Sequence, residues 1–578
     1  MYSNEKSVQI TLSLLKSYQI SHVVLSPGGS DAPIVKSFED DGNFHCYSVV
    51  DERSSVFFAI GLSQELKEPV VCVCTAGTAV SNFLTGITEA YYQNVPIVAI
   101  TSDSHAYNLD QLVLQKLDQL NIFKGVIRSE VTLPAVKDSS DEHQCNMLVN
   151  EALLALNHHG SGPVHINIPI TLTLACTTET LPVQRVINRC SVYDTDYSQL
   201  AKKLKNKKVL VIVGQDTNVE PEEVDLFNRF FERYNCAFNI ETLSNIRCKG
   251  SVVTYSATET LKAHGHSELV PDIIISMGNF VASYMLTPFL RSYNKGTDNW
   301  LIHESGAVRD PYWNLTTIIE GTPIEFLKRI LEKNVESTLS HSYYENWKSL
   351  TESIIMPELG FSSMSIARIL SKKLPDSAVL HTAILNSTRL MQFFPPQNQV
   401  TCYSNLGALG IDGCTATAVG HSMASDKLTY LLTGDLSFFY GMNAVSIRGI
   451  KNNLRIILFN NGGGEEFKIK LNLPKLDKYV CARSSHRTAK GWVESLNFGY
   501  YTATNNEEVS LVLDEFAKPS EKPLLLELFI DMEKDAEVIR NTFAMNKPEP
   551  SKIEKLKTLI TTSLPEPIVN HLKRVLQK

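Results

Sequence analysis

The residues with the types and spacing to do chemistry are concentrated between Gly434 and Phe467. Gly434-Asp435-Leu436-Ser437 opens this stretch, and Asn460-Asn461-Gly462-Gly463-Gly464 follows an apolar run. A carboxylate, an amide oxygen and a Gly-rich turn with free carbonyls are the oxygen ligands of a hard divalent cation. Ser437 stands beside the start of an expected helix, and helix N-termini hold anions. The combination predicts a magnesium–diphosphate anchor. Glu52, in Asp51-Glu52-Arg53, is the second focus. It reads either as a carboxylate directed at a ligand or as an acidic residue complementing a helix dipole.

The elements that position these residues follow one pattern. A strand at Tyr430–Thr433 feeds the Gly-Asp turn, a helix is expected over Phe438–Ile450, and a strand over Leu454–Phe459. Both polar turns then sit at the carboxyl ends of parallel strands, where open α/β sheets bind ligands. The N-terminal part repeats the alternation. A helix over Val8–Tyr18 precedes a strand His22–Leu25, which enters Ser26-Pro27-Gly28-Gly29-Ser30. Further strands are expected at Phe44–Val50, Val70–Cys74, Ile97–Thr101 and within 162–169, with helices over Ser54–Leu66 and Asn82–Tyr92. Alternation of this kind implies a doubly wound parallel sheet.

Residues 177–205 are polar and read as a linker without a strand. Strands at Val209–Gly214, Ile273–Gly278 and Trp300–His303 make a second α/β unit. It contains no GxGxxG, so a structural role is expected rather than dinucleotide binding. A third unit starts near Ser362, with strands at Ala378–Ala383, Thr401–Ser404 and Pro523–Ile530. The expected fold class is α/β, with three doubly wound parallel-sheet domains over residues 1–180, 181–350 and 351–545. The Lys/Pro/Glu-rich tail 546–578 is expected to add one or two short surface helices. The first and third domains have similar content and length, which hints at an internal duplication.

Composition bounds the function class. With 43% hydrophobic and 20% charged residues and a net charge of −8, the chain reads as globular, without a nucleic-acid footprint. No apolar run reaches about 18 residues and the N-terminus lacks a signal-peptide core, so no membrane segment is expected. The 11 cysteines are scattered, with no CxxC and no zinc spacing, which points to a reducing, cytoplasmic location. Cys72 and Cys74 share one face of a strand and are expected in a core.

Asp435, followed 26 positions later by Asn461, resembles the metal motif of thiamin-diphosphate enzymes, usually Gly-Asp-Gly with a later Asn-Asn. Gly-Asp-Leu-Ser is similar to the variant in the menaquinone-pathway synthase family, which joins 2-oxoglutarate to isochorismate. Ser26-Pro27-Gly28, Asp51-Glu52-Arg53, Gly77-Thr78-Ala79 with Asn82, Asn405 with Gly410-Ile411-Asp412-Gly413, and Asn460 to Gly464 with Phe467 agree in order and spacing. The resemblance covers about residues 5–545. It implies thiamin diphosphate and Mg2+ as cofactors. Glu52 would hydrogen-bond the aminopyrimidine ring and assist removal of the thiazolium proton. Asp435, the Asn461 side chain and the Gly463 carbonyl would hold magnesium. Ser387 and Ser437 would bind diphosphate oxygens, and Ile411 would keep the cofactor bent. Gly77, Thr78, Asn82, Asn405, Gly410 and Leu436 complete the implied cofactor site. It further implies a homodimer or homotetramer with active sites at the subunit interface.

The departures concern substrate. That family grips acidic substrates with Arg and Lys side chains, and arginine forks suit carboxylates. Here Ser30, Ser104 and Leu406 stand in place of arginines, and Tyr284-Met285 in place of a basic pair. Gln115 persists, and the expected downstream arginine aligns near Met391, with Arg389 out of register. His105, His381, Arg389 and Lys468 remain as basic candidates, with Phe467 beside the cofactor loop. Glu465 and Glu466 either acidify the site or are solvated loop charges. The expected activity is decarboxylation of a 2-oxo acid with transfer of the acyl carbanion to an acceptor other than isochorismate. Alternatives are a simple 2-oxo-acid decarboxylase, the menaquinone-pathway activity itself, and a non-catalytic homologue.

Overall fold

The computed structural model describes residues 1–170, 175–215, 219–260, 266–333, 340–470, 479, 481 and 485–546. The tail expected to form surface helices lies outside them beyond 546. The chain falls into two units, one of Met1–Thr195 with Asp298–Thr322 and one of Asp196–Thr297 with the chain from Pro323 onward. Three parallel sheets carry the architecture, as the alternation predicts.

The first sheet contains β1 (His22–Ser26), β2 (His45–Ser48), β3 (Val70–Cys74), β4 (Ile97–Asp103), β5 (Ser129–Thr132) and β6 (Val164–Pro169) in the order β2-β1-β3-β4-β6-β5. Its pairings are all parallel. β3 is buried along its whole length, so it reads as an unbroken apolar run, as strands covered on both faces do. Val8, Leu12 and Leu15 pack on one face, and Val56, Phe83 and Ile87 on the other. A fully buried aromatic such as Phe83 stabilises the fold by about 1.5–3 kcal/mol. Cys72 and Cys74 are both buried in this core.

The middle strands are β7 (Asn188–Ser191), β8 (Val209–Val213), β9 (Cys236–Ile240), β10 (Ser251–Val252), β11 (Ile273–Met277), β12 (Asp298–Ile302) and β13 (Leu315–Glu320). Within one unit they run β10-β9-β8-β11, and within the other β12-β13-β7. β7 and the helix Tyr197–Leu204 correct the expectation of a strandless linker over 177–205. β7 is an edge strand with no fully buried residue, so it carries no apolar run to read.

The third sheet contains β14 (Val379–Thr382), β15 (Thr401–Ser404), β16 (Thr429–Gly434), β17 (Leu454–Asn460), β18 (Gly499–Thr502) and β19 (Leu524–Phe529) in the order β15-β14-β16-β17-β19-β18. Renumbered from its own first strand, this is the order of the first sheet, which supports the hint of duplication. The helix expected over Phe438–Ile450 instead spans Asp435–Tyr440. Gly441 ends it, and a 3₁₀ turn at Met442–Ser446 follows.

Candidate active site

In both outer sheets the strand order reverses between β1 and β3 and between β14 and β16, with a second reversal at the far edge. Connections leave these pairs toward opposite faces, which opens a crevice at the carboxyl ends. The sequence-derived site residues cluster at these two points.

At the β1/β3 point, Gly28 lies so close to β3 that an added Cβ would sit 2.5 Å from Thr75 Cβ. Its N–H donates to Asp31 Oδ1 at 2.7 Å, while Asp31 Oδ2 is buried without a partner. Burial pushes the Asp31 carboxyl up to about 6. Ser30 Oγ lies 2.7 Å from Thr75 Oγ1 and 2.7 Å from Ser102 Oγ, and accepts the Ala76 N–H at 3.0 Å. Gln115 donates to the Ala76 carbonyl at 3.0 Å. Gln119 accepts the Gly77 N–H and donates to the Ser102 carbonyl and to Asn167 Oδ1. Asn167 donates to Asp103 at 2.7 Å, and Ser104 N–H also donates to Asp103. Burial raises the Asp103 carboxyl above its usual range. His105 stacks on Tyr107.

Glu52 is the first residue of the helix Glu52–Leu66, whose N-cap is Asp51. Its Oε2 accepts from Asn82 Nδ2 at 3.1 Å. Asn82 lies one turn into the helix Thr78–Gln93, next to the exposed start at Thr78. Glu52 is half-buried at a helix start, where its carboxylate complements the helix dipole.

At the β14/β16 point, Asp435 opens the helix Asp435–Tyr440 and is buried. Its two oxygens accept backbone N–H groups from Leu436 and Gly462, each at 2.7 Å. Burial nevertheless pushes this carboxyl up to about 6, so a cation beside it would offset its desolvation. Asn461 Oδ1 accepts the Gly463 N–H at 3.2 Å, and the Gly463 carbonyl accepts from Glu465 N–H at 3.1 Å. Ser437 Oγ donates to the Ile411 carbonyl at 2.6 Å, fixing the backbone of a residue that stays 38% exposed. Gly410 precedes Ile411 in the chain, and Asn405 donates to Thr417 at 3.1 Å. The oxygen donors of Asp435, Asn461 and Gly463 fit a magnesium ion in chemical type.

Ser387 is buried in the first turn of the helix Asn386–Phe393. The preceding Leu385 has φ 62 and ψ −116, a backbone conformation that side-chain-bearing residues rarely adopt. Such strain is concentrated at functional sites. The sequence carried no signal for it.

The acidic pair after the Gly turn corrects the reading of solvated loop charges. Glu465 is buried, accepts from Asn461 and Asn386, and faces the buried Asp535. Burial and the neighbouring Asp535 hold the Glu465 carboxyl well above its ordinary range. Glu466 takes both terminal nitrogens of the buried Arg389, which also bonds Asn386 and the Tyr255 hydroxyl. Arg389 lines a cavity of ≈130 Å³ with Tyr255, Phe280, Tyr284, Leu385 and Leu409. His381 is buried on β14, stacked on Tyr403 and edge-on to His421. Phe467 is part-exposed beside these loops, and Lys468 pairs with Glu533 at 2.6 Å. Gln119, Asn386, Leu385 and Asp535 are the members that sequence reasoning missed.

Residues 6–122 match the model of the thiamine pyrophosphate enzyme N-terminal TPP-binding domain. The chain is 38% identical over 563 residues to 2-succinyl-5-enolpyruvyl-6-hydroxy-3-cyclohexene-1-carboxylate synthase of Bacteroides thetaiotaomicron, covering 94% of this chain and 99% of the relative. It is 37% identical to the Phocaeicola vulgatus synthase of the same name and 31% identical to that of Flavobacterium psychrophilum, with the same coverages. Among the described residues, no helix is long and apolar enough to cross a membrane. Two crevices built from matched sheets, the motif residues gathered at both, and near-full-length identity lead to one assignment: the chain belongs to the thiamin-diphosphate-dependent enzyme family that includes 2-succinyl-5-enolpyruvyl-6-hydroxy-3-cyclohexene-1-carboxylate synthase.

Proposed function

We propose that this enzyme decarboxylates a 2-oxo acid and transfers the acyl unit to an acceptor, with substrates that differ from 2-oxoglutarate and isochorismate. Thiamin diphosphate, when bound, supplies the electron sink for loss of CO₂. Glu52 would act on the cofactor's aminopyrimidine ring, held in place by its hydrogen bond from Asn82. Asp435, Asn461 and Gly463 would hold magnesium against the diphosphate, with Ser387 and Ser437 beside it. Gly77, Thr78, Asn405, Gly410 and Leu436 would complete the cradle, and Ile411 would press on the cofactor from its fixed carbonyl. Ser30, Ser104, His105, Gln115, His381, Arg389 and Phe467 are the substrate-side residues of this reading.

The observation that carries the substrate reading is Arg389. Both its terminal nitrogens are bound by Glu466, so its charge is already met inside the protein. Ser30, where an arginine was expected, is committed to Thr75, Ser102 and Ala76. A substrate carboxylate without such a partner forgoes about 1.5–3 kcal/mol per charged hydrogen bond. An oligomer is part of the proposal. Phe57, Phe58, Leu112 and Leu114 are exposed on the first unit, which supports burial against another copy.

The test is a donor screen by CO₂ release, comparing 2-oxoglutarate with monocarboxylic 2-oxo acids, followed by mass spectrometry of products formed with acceptor pools. Preference for a monocarboxylic donor together with an adduct is the expected result. Efficient turnover of 2-oxoglutarate with isochorismate would overturn the substrate reading in favour of the synthase activity of the relatives, which the 38% identity supports. Free aldehyde without adduct would instead make the enzyme a simple decarboxylase.

A further inference from the structure

A cavity of ≈660 Å³ lies in the first unit, and none of the candidate active-site residues lines it. Tyr18, Arg189, Tyr193 and Glu304 line it together with His158, His159 and Glu320. The two imidazoles converge on one carboxylate. His158 Nε2 lies 2.9 Å from Glu320 Oε2, and His159 Nε2 lies 3.0 Å from Glu320 Oε1. The ring centroids are 4.0 Å apart.

This convergence requires a special backbone. Successive residues of a helix project in directions about 100° apart, so neighbouring histidines do not ordinarily meet at one point. His159 adopts φ 55, in the left-handed region, just beyond the helix Ser139–Ala155. That turn brings its ring back beside His158. The opposite wall is also kept clear. A Cβ added to Gly306 would stand 2.5 Å from Glu320 Oε2 and 3.1 Å from His158 Nε2. A side chain there would occupy the space on which the three groups converge. Glu320 ends β13, so its carboxylate is presented from a rigid strand.

We propose that His158, His159 and Glu320 bind a divalent transition-metal ion of the zinc class, with its remaining coordination open to the cavity. Two imidazoles and one carboxylate with an open position are a zinc ligand set. Zinc bonds of about 2.0–2.1 Å in tetrahedral geometry place ligand atoms about 3.4 Å apart. The two imidazole–carboxylate separations need to widen by only a few tenths of an ångström, and the three ligand atoms already lie within 4.8 Å of one another. His159, exposed over 70% of its side chain, is free to make that adjustment. Nitrogen donors separate this site from the all-oxygen Asp435 site, because imidazole favours zinc and cobalt where carboxylate and carbonyl favour magnesium. Glu304 adds a second negative charge to the wall, and Arg189 a positive one that bonds the Leu154 carbonyl.

The test uses the full chain with excess thiamin diphosphate and Mg2+, stripped of other metals and titrated with CoCl2 and ZnCl2. The expected result is intense visible absorption from four- or five-coordinate cobalt, displaced by one equivalent of zinc. His159→Ala and Glu320→Gln abolish that band and reduce zinc affinity at least 10-fold, with unchanged melting in the metal-free state. Gly306→Ala, which leaves all three ligands present, weakens it as well. Weak six-coordinate cobalt absorption alone, or an intense band that survives both ligand substitutions, would overturn the site and leave two imidazole–carboxylate hydrogen bonds. Where one ligand variant fails to fold, the other, exposed His159 in particular, still decides the matter.

Discussion

The first and third sheets share one strand order and place their chemistry at the same topological point, but they fill it differently. At β1/β3 the groups are mostly neutral: Ser30, Thr75, Ser102, Gln115, Gln119 and Asn167 satisfy one another. At β14/β16 they are mostly charged: Asp435, Glu465, Asp535 and the Arg389–Glu466 pair, all in or beside the crevice. A neutral network fixes geometry without needing a counter-ion. A buried acidic cluster is incomplete without one, because desolvation raises the carboxyls of Asp435, Glu465 and Asp535. The same strand order thus carries a neutral polar wall in one sheet and a buried acidic cluster in the other. Glu52 is an exception on the neutral side, as are Asp31 and Asp103, and it is the half-buried one, a carboxylate among amides and hydroxyls.

That exception predicts the largest effect. Glu52→Gln keeps the Asn82 contact in shape but removes the charge, and turnover falls about 10²–10⁴-fold. Calorimetry with thiamin diphosphate and Mg2+ reads binding close to wild type. Undiminished turnover would break the division of labour between the two points.

On the charged side, Arg389→Met leaves Glu466 facing the crevice without its partner. Denaturant unfolding should report a loss of about 3–5 kcal/mol, the usual cost of halving a buried pair. A loss below about 1 kcal/mol would show that the pair is solvated and that Arg389 remains available to substrate.

His381 gives the next effect. Burial, with His421 beside it, pushes its imidazole down to about 4 from an ordinary 6.5. The folded state therefore favours neutral His381. Its contribution is fully present above pH 6.5 and is lost as pH falls toward 4, by up to about 3 kcal/mol. His381→Leu should flatten the stability profile in that window. An unchanged profile would remove His381 from the charged region's account.

Gly28→Ala tests the neutral wall. Its Cβ would meet Thr75, and overpacking of this kind costs about 1–3 kcal/mol. Thermal unfolding would measure it. Ser30→Ala is the smallest change, about 1 kcal/mol for hydrogen bonds lost in a network that can partly rearrange. A much larger drop in activity than in stability would promote Ser30 from wall to substrate contact.

The strands that were legible in advance are those buried on both faces, such as β3 and β17. β7 was not, because an edge strand of Asn, Arg, Cys and Ser carries no apolar run. Gly441 shortened a helix that periodicity alone would have extended to Ile450. The motif residues around Asp435 and Glu52 were legible from residue type and spacing, since a turn of few residues constrains its own geometry. The fates of Glu465, Glu466 and Arg389 were not. Arg389 and Glu466 are 77 positions apart, and His158 and Glu320 are 162 apart.

What the sequence by itself determined is therefore local: alternating strands and helices, and the cofactor motifs. What only the tertiary structure decided is which charges meet. Chain separation carries no information about distance in space once the chain has folded back. A charge in water costs nothing, whereas a buried one must find a partner, and the fold chooses that partner.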